Sequence, residues 1–315
     1  MLLCAWVAAS VPATFAQKYP DRAIRLISPF PPGGTVDVNA RILAPAVSKA
    51  LGQQVVVDNR SGASGIIGTA EAARAKPDGY TLLLNTTPMV TNTLMYNKVP
   101  YNVLADFEAI SILSTTPSFL SVHPSVPARS VRELLQLAKS RPGALNYASA
   151  GVGTNPHISG ELFNHLGKVN MIAVQFKGGG PALVAAISGE VGVAFSGVAG
   201  AVGFVQSGRL RALGVTSLKA VAALPGVPTI AESGLPGYEF VAWFVLAAPK
   251  GTPREVIATL NEQFKKAMSY PETIKRFEAD GLDIVGSTPE QAAVTMASEL
   301  KKWAVVIKER GMRAD

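Results

Sequence analysis

Two kinds of hydrophobic pattern alternate along the chain. Short runs of β-branched and other apolar residues, typical of buried strands, lead into glycine-rich turns, and these lead into segments with apolar residues at helical spacing. In the first third of the chain the pattern predicts strands at residues 24–27, 54–57 and 80–84, with helices at residues 35–51 and 66–75. Strands that alternate with helices are typical of βαβ units and a largely parallel sheet.

The same alternation starts again in the middle of the chain. It predicts strands at residues 119–122, 145–148, 171–176, 191–195 and 210–216, the last as a parallel strand, and helices at 131–140, within 151–166 and at 181–188. After a stretch rich in proline and glycine, it predicts a strand at residues 240–248 and helices at 253–268, 271–279 and 289–308.

These two blocks predict an α/β protein with two lobes. We expect the chain to cross between them near residues 117–123 and 240–248. Lobe I is then formed by residues 17–118 together with 241–315, and lobe II by residues 119–240, with a ligand cleft between them. Open parallel sheets bind ligands at the carboxyl ends of their strands. One continuous large sheet is the alternative that the pattern leaves open.

Four predicted turns combine glycines with the start of a helix. They are residues 30–35 (FPPGGT), 61–65 (SGASG), 150–154 (AGVGT) and 177–180 (KGGG). Free backbone N–H groups at a helix start, together with the helix dipole, bind anions, and glycine lets the anion approach closely. The hydroxyls of Thr35 and Thr154 and the ammonium group of Lys177 would add donors, so a carboxylate is the expected guest. Turns between strands and helices also contain glycine for purely structural reasons, which is the alternative for any single turn.

The first sixteen residues resemble a secretory signal. An apolar run is followed by the sequence ATFA at residues 13–16, which places small residues at positions −1 and −3 of a cleavage before Gln17. No basic residue precedes Lys18, which a start codon upstream of Met1 would explain. The single cysteine, Cys4, lies inside this segment behind Leu3, which does not suit a lipoprotein signal. A frayed apolar terminus in a cytosolic protein is the alternative.

Composition and charge exclude several classes of protein. Hydrophobic residues make up 48% of the 315 residues and charged residues only 16%, which indicates a globular core rather than disorder. One cysteine excludes a disulfide scaffold and cysteine-rich metal sites. The net charge of +7 is spread along the chain without aromatic residues between the basic ones, which does not suit nucleic-acid binding. It suits a general preference for small anions.

Catalytic and cofactor motifs are not convincing. His157, Glu161 and His165 follow one another at intervals of four on a predicted helix, but the outer two lie about 12 Å apart along its axis, too far to share a metal. Pro156 occupies the third glycine position of a dinucleotide fingerprint after residues 151–153, and the glycines at 178–180 lack the rest of a phosphate-binding loop. No Gly-x-Ser-x-Gly motif occurs. These absences favour binding over catalysis, with no metal and no cofactor.

Asp37 and Arg41 are spaced as an ion pair at a helix start. The alternative is that Asp37 faces the cleft.

Several motifs resemble the Bug (TctC-like) family, the periplasmic solute-binding proteins of tripartite tricarboxylate transport systems. They are residues 19–27 (YPDRAIRLI), 29–37 (PFPPGGTVD), 56–60 (VVDNR), 77–82 (PDGYTL), 145–151 (LNYASAG), 210–216 (LRALGVT), 224–229 (LPGVPT) and 243–244 (WF). The resemblance covers essentially all of the chain after residue 16.

This resemblance implies a two-lobe Venus-flytrap fold of the type II periplasmic binding protein kind, each lobe a mostly parallel sheet flanked by helices. It implies that the lobes close on a small organic carboxylate held by backbone amides, hydroxyls and waters. The site residues expected in lobe I are Phe30, Gly34, Thr35, Asp37, Thr86 and Thr87. Those expected in lobe II are Ala150, Gly153, Thr154, His157, Phe176, Lys177, Gly178 and Ser196.

Three positions depart from the family pattern. Ser196 stands where many members carry aspartate, so a partner for a ligand ammonium or hydroxyl group is missing, and we expect a non-amino carboxylate such as an aromatic or dicarboxylic acid. Phe176 replaces a tyrosine, and Ser28 replaces an apolar residue. Both changes leave the specificity open.

The functional hypothesis is an extracytoplasmic binding protein, monomeric and not an enzyme, that delivers its carboxylate to membrane permease subunits. The alternatives are a ligand-dependent partner of a signalling receptor and an enzyme that uses Lys177, His157 or Asp37 on a small anion.

Overall fold

Strands and helices alternate through residues 19–221 and 224–314, the part of the protein that the computed structural model describes. The strands are β1 Ile24–Ser28, β2 Val55–Asn59, β3 Thr81–Asn85, β4 Phe107–Val122, β5 Asn146–Ser149, β6 Ile172–Gln175, β7 Val193–Gly197, β8 Arg211–Val215, β9 Val241–Pro249 and β10 Asp283–Ile284. The helices are α1 Thr35–Leu51, α2 Ile66–Ala73, α3 Pro88–Met95, α4 Val131–Ser140, α5 Asn155–Gly167, α6 Gly179–Ser188, α7 Val198–Gln206, α8 Arg254–Met268, α9 Pro271–Ala279 and α10 Pro289–Arg310. The expected signal segment, residues 1–16, lies outside the described residues.

Two sheets share the long strand β4. In the first sheet β2, β1 and β3 are parallel, and β9 lies antiparallel between β3 and β4. In the second sheet β6, β5 and β7 are parallel, and β7 pairs antiparallel with β4. Because β4 belongs to both sheets, backbone hydrogen bonds connect all the strands from β2 to β6. The two sheets that the sequence predicts are present, and one shared strand joins them.

The chain passes from one sheet to the other at two adjacent positions. Along β4 the partner changes from Val241 of β9, opposite Pro117, to Gly197 of β7, opposite Ser118. The return passage lies just before β9, where the amide of Phe240 donates to the carbonyl oxygen of Thr216. Both passages therefore lie side by side.

Several predicted boundaries agree with the structure. Helix α1 covers the predicted residues and ends at Gly52, which has the left-handed φ of 69° common after a helix. Helix α4 begins where predicted, with the Ser130 hydroxyl accepting from the Glu133 amide. Helix α9 also matches its predicted range.

Other elements differ from the prediction. Strand β8 runs in the direction of β7, but its hydrogen-bonding partner is the antiparallel strand β4. Helix α6 begins at Gly179, two residues before the predicted start. The pattern did not indicate α3, α7 and β10, and it showed only the last four residues of β4.

The hydrophobic core is continuous over one face of both sheets. One cluster contains Leu83 of β3, Phe195 of β7 and Trp303 of α10, all at most 1% exposed. The opposite face of the first sheet has its own cluster beneath α1 and α8. Helix α10 therefore packs against the face whose core the two sheets share. Among the residues that the structure describes, no helix combines the length and the apolar character that crossing a membrane requires.

Candidate functional site

Turns at the carboxyl ends of strands from both sheets lie against each other. The Thr91 hydroxyl on α3 donates a 2.9 Å hydrogen bond to the carbonyl oxygen of Gly153 in the turn between β5 and α5. A β-carbon built on Gly151 would lie 3.3 Å from Ser64 Oγ, and one built on Gly197 would lie 3.8 Å from Thr35 Oγ1. Three separate turns of the first sheet thus meet two turns of the second, and we treat this junction as the candidate site.

The helices that start at these turns share one property. None of α1, α2, α3, α5, α6 and α7 has a side chain that caps its N-terminus by a hydrogen bond. Of the other helices, α4 and α10 are capped by Ser130 and Thr288, whereas α8 and α9 are also without a side-chain cap. The N–H groups in the first turn of a helix have no acceptor within the helix, so uncapped starts can donate to an anion.

Asp37 organises the first of these turns. Its carboxylate accepts from the Gly33 amide and the Arg41 guanidinium group, both at 2.9 Å, and from the Asn59 side-chain amide, also at 2.9 Å. Burial opposes ionisation of Asp37, but these hydrogen bonds and the charge of Arg41 outweigh it and lower the pKa. Both oxygens are therefore engaged by protein donors. Asp37 was predicted as a binding residue; its observed contacts shape the turn.

The predicted residues Phe30, Gly34 and Thr35 lie at the surface of the same turn. Thr35 is exposed and Gly34 is the residue before α1, with its amide bonded to the Pro31 carbonyl oxygen. The Phe30 ring packs so closely on Gly65 that a β-carbon there would lie 3.0 Å from the ring. Gly65 therefore allows the first two turns to touch.

The turn between β2 and α2 has an unusual backbone. Ala63 and Ser64 both have positive φ, 45° and 52°, which residues with a side chain adopt rarely. The carbonyl oxygen of Ser64 accepts a 2.9 Å hydrogen bond from the side chain of Asn92. This bond links the turn to α3, and such backbone strain concentrates at functional sites.

Buried oxygens without a hydrogen-bond partner in the described structure concentrate near this junction. They include the hydroxyls of Ser28, Thr86 and Thr87 and the side-chain oxygen of Asn92. Ser28 ends β1, and the two threonines connect β3 to α3. A buried polar group without a partner costs about 1–3 kcal/mol, so these positions suit a polar guest.

The turn from Ala150 to Thr154 forms the second-sheet side. Gly151 and Gly153 have φ of 123° and 77°, and Ala150 is half-buried. The Thr154 hydroxyl donates to the Gly151 carbonyl oxygen at 2.6 Å. This hydroxyl was predicted to donate to a ligand, but its hydrogen already closes the turn.

The side chain of His157 holds this turn through a hydrogen bond. Its Nδ1 accepts from the Gly153 amide at 3.2 Å, and its ring is stacked on Tyr147 with centroids 6.5 Å apart. Burial lowers the pKa of His157, although the charge of Glu161 partly offsets this effect. The ring is therefore neutral at pH 7, with its proton on Nε2.

The predicted trio of His157, Glu161 and His165 is engaged in protein contacts. Glu161 accepts from Tyr147 and Arg310, and His165 lies 3.1 Å from Glu309. Within the described part of the chain, no cluster of histidine and acidic residues is arranged to hold a metal ion.

The remaining predicted residues lie on β6, β7 and the loops that follow them. Phe176 is half-buried against the core beneath α6, and its amide donates to the Ser149 carbonyl oxygen at 2.8 Å. Lys177 is exposed, and Gly178, with φ of 115°, precedes α6. Ser196 is half-buried on β7, opposite Phe119 of β4.

Sequence reasoning missed three residues of this junction, Ser64, Thr91 and Asn92. Ser64 belongs to a turn that was singled out for its glycines alone. The other two lie on α3, which has no strong hydrophobic periodicity. Thr87-Pro88 was the available signal, since proline favours the first position of a helix.

Comparison with known proteins places the chain in a family. Residues 39–312 match the family described as tripartite tricarboxylate transporter family receptor. Protein BugT of Bordetella pertussis is 37% identical over 300 residues, which cover 95% of this chain and 92% of that protein.

Two solved structures share both sequence and fold with the chain. Rpa4515 of R. palustris with adipate has a TM-score of 0.88 and 34% identity, covering 94% of this chain and 99% of that one. MatC (Rpa3494) from Rhodopseudomonas palustris with bound malate has a TM-score of 0.86 and 30% identity, covering 92% of this chain and all of that one. The chain therefore belongs to the TctC family of tripartite tricarboxylate transporter receptors, to which the Bug proteins are related, and has their two-lobe α/β fold.

Proposed function

We propose that the protein captures a small organic carboxylate between its lobes in the periplasm and delivers it, as a monomer, to the permease subunits of a tripartite transporter. The observation that carries this proposal is that turns and first residues of uncapped helices from both sheets, α3 with the turn before α5 and α1 with the residue before α7, meet at one junction. Such starts donate hydrogen bonds to a carboxylate without any chemical step. In this proposal residues 1–16 are a cleaved export signal.

The lobes we propose are residues 17–118 with 241–315, and residues 119–240. The change of partners along β4 between Pro117 and Ser118 supports this division, as does the adjacent return passage before β9. Two passages side by side suit a hinge that lets the lobes close around a ligand.

The proposed ligand class is a non-amino carboxylate, such as a dicarboxylic or an aromatic acid. Ser196 offers a hydroxyl where an aspartate could bind an ammonium group, and the carboxylate of Asp37 is engaged by protein donors. Adipate and malate, held by two related structures, are both dicarboxylates without an amino group.

We divide the predicted site residues into two groups. Those we propose to contact the ligand or its bridging waters are Phe30, Gly34, Thr35, Thr86, Thr87, Ala150, Phe176, Lys177, Gly178 and Ser196. Those we propose to position these groups are Asp37, Gly153, Thr154 and His157, since both backbone groups of Gly153 already bond to protein partners. Because Asp37 and His157 already engage the protein, they are poor candidates for a catalytic acid and base.

Calorimetric titration and thermal unfolding test the proposal directly. We expect adipate, malate or benzoate to bind and to raise the melting temperature, and aspartate to bind more weakly. Trp243 is buried on β9 next to the passage between lobes, with its Nε1 donating to Glu299 at 2.9 Å, so its fluorescence should report closure. If a broad panel of carboxylates leaves all three signals unchanged, the transport function is wrong.

A further inference from the structure

A column of side chains runs from the end of α10 to the turn before α5. At its outer end the Arg310 guanidinium group donates to Glu161 Oε2 at 3.0 Å, and both side chains are largely shielded, at 25% and 14% exposed. The other oxygen of Glu161 accepts from the Tyr147 hydroxyl at 2.9 Å. Glu161 therefore joins the last turn of the last helix to strand β5.

The column continues inward from Tyr147. The Tyr147 ring is completely buried and stacked on His157, which accepts the hydrogen bond from the Gly153 amide. Any side chain at position 160 would overlap the Tyr147 ring, so Gly160 is what lets the ring lie against α5. The ring is thus held in one place, and its hydroxyl lies near two acceptors, Glu161 Oε1 at 2.9 Å and the His157 carbonyl oxygen at 3.3 Å.

At its inner end the column reaches the candidate site. The Gly153 amide bonds to His157, and the Gly153 carbonyl oxygen bonds to Thr91 of the first sheet. A displacement of the Tyr147 and His157 rings would therefore move the turn that faces Thr91. Coupling of this kind is carried by packed side chains and hydrogen bonds that share neighbours.

We propose that Arg310 and Glu161 are positioning residues for the carboxylate-binding turn of residues 150–154, acting through Tyr147 and His157. This inference rests on the proposed function for its ligand, but the packing that it describes is a property of the protein alone. It makes the end of α10 part of the binding apparatus, although α10 contributes none of the predicted contacts.

The chain offers a matched control on the same two helices. His165 and Glu309 form a neighbouring ion pair between α5 and α10, with Nε2 and Oε2 3.1 Å apart. Neither residue has a hydrogen bond to Tyr147 or Glu161. Glu161→Gln and Glu309→Gln each remove one carboxylate charge between the same helices, but only the first acts on the column.

The first experiment measures adipate and malate binding by calorimetry for the wild type and both variants. We expect Glu161→Gln to weaken binding by about 3- to 10-fold, the usual range for a residue that acts through a network, and Glu309→Gln to leave it within about twofold. Equal effects of the two substitutions would overturn the proposal.

The second experiment needs no ligand. Hydrogen exchange of the peptide covering residues 150–158 should be faster in Glu161→Gln than in Glu309→Gln, because the Gly153 amide loses a fixed acceptor. If this peptide exchanges at the same rate in both variants, the proposed coupling through the column is wrong. If the wild type binds no carboxylate, the proposed function is wrong. The comparison of exchange rates still tests whether Glu161 acts through the column.

Further variants at positions 147 and 310 distinguish the proposed roles from a general loss of folding. Tyr147→Phe keeps the buried ring and removes the hydroxyl, which lies 2.9 Å from Glu161 Oε1 and 3.3 Å from the His157 carbonyl oxygen, so it should reproduce the faster exchange. Arg310→Lys keeps the charge and should restore most of the affinity that Arg310→Met loses. If Lys and Met at this position behave alike, or if Tyr147→Phe exchanges like the wild type, the assigned roles are wrong.

Discussion

The hydroxyl of Thr91 and the carbonyl oxygen of Gly153, 62 residues apart in sequence, are 2.9 Å apart in the structure. Thr91 lies on a helix that follows the first sheet, and Gly153 lies in a turn that follows the second. Both groups are buried, so the hydrogen bond is shielded from water. It is a direct link between the parts of the chain that we propose to close on a ligand.

Removing this link should weaken the association of the two sheets. Thr91→Val keeps the shape of the side chain and leaves the Gly153 carbonyl oxygen without its donor, which costs about 1–3 kcal/mol of unfolding free energy. Thr93→Val is the control, because Thr93 bonds only to Val90 within its own helix. Urea unfolding of both variants measures the difference. A loss in Thr91→Val no larger than in Thr93→Val would show that the link adds nothing.

The backbone of Gly153 should tolerate no side chain. Gly153→Ala combines the strain of a φ of 77°, about 1–2 kcal/mol, with a β-carbon only 2.8 Å from Asn92 Oδ1. Gly208→Ala imposes the same backbone strain, at a φ of 72°, in open space. We expect Gly153→Ala to lose at least about 1 kcal/mol more stability than Gly208→Ala in urea unfolding, because overlap adds to strain. Carboxylate binding should be lost only in Gly153→Ala, and retention of binding would argue against a role for this turn.

Asp37 should stabilise the protein in a pH-dependent manner. Its pKa is lowered in the folded state, so its contribution is fully present above the ordinary aspartate pKa of about 4 and disappears as the pH falls below that value. Asp37→Asn should therefore be less stable than the wild type at pH 7, by about 1–3 kcal/mol, and the difference should shrink as the pH falls through the lowered folded-state pKa of Asp37. Chemical unfolding at several pH values measures this, with the exposed Asp283→Asn as control. A difference that does not depend on pH would contradict the ionised role of Asp37.

His157 should make the protein less stable in mild acid. Burial lowers its pKa in the folded state, whereas the unfolded chain takes up a proton near pH 6.5. Stability is therefore full above that pH and declines as the pH falls from there toward the folded-state pKa. His157→Gln should flatten this decline in the melting temperature, and His123→Gln should not. If the melting temperature of His157→Gln declines with falling pH as in the wild type, the loss of stability in acid comes from other groups.

The strands and helices that could be predicted are those with a local signal. The glycine at position 52 and the serine at position 130 mark helix ends that the structure reproduces. Strand β4 was recognised only at its end because Ser111, Ser114 and Thr116 interrupt its apolar pattern. The side chains of these residues are buried and bond to groups far along the chain: Ser111 to Ser287, Ser114 to Asn39 of α1, and Thr116 to Gly281.

The turns that form the candidate site could be predicted from the sequence. Which of their side chains are free to bind a ligand and which hold the turn together could not be predicted. Glycine patterns identified the turns, because a backbone with positive φ favours glycine and the local sequence therefore indicates it. Which hydroxyls remain free depends on contacts made only in the folded chain. Thr154 closes its own turn, whereas Thr35 at the equivalent helix start is exposed. The carboxylate of Asp37 on α1 likewise accepts a hydrogen bond from the side-chain amide of Asn59, which lies on β2.

The position of β9 between β3 and β4 has a consequence for how the chain acquires its structure. Strand β3 ends at residue 85 and β4 begins at residue 107, yet the strand that separates them begins only at residue 241. The facing edges of β3 and β4 therefore stay without their partner until β9 has been synthesised. Contacts of such long sequence separation form slowly. The first sheet is thus completed only after every strand of the second sheet has been made.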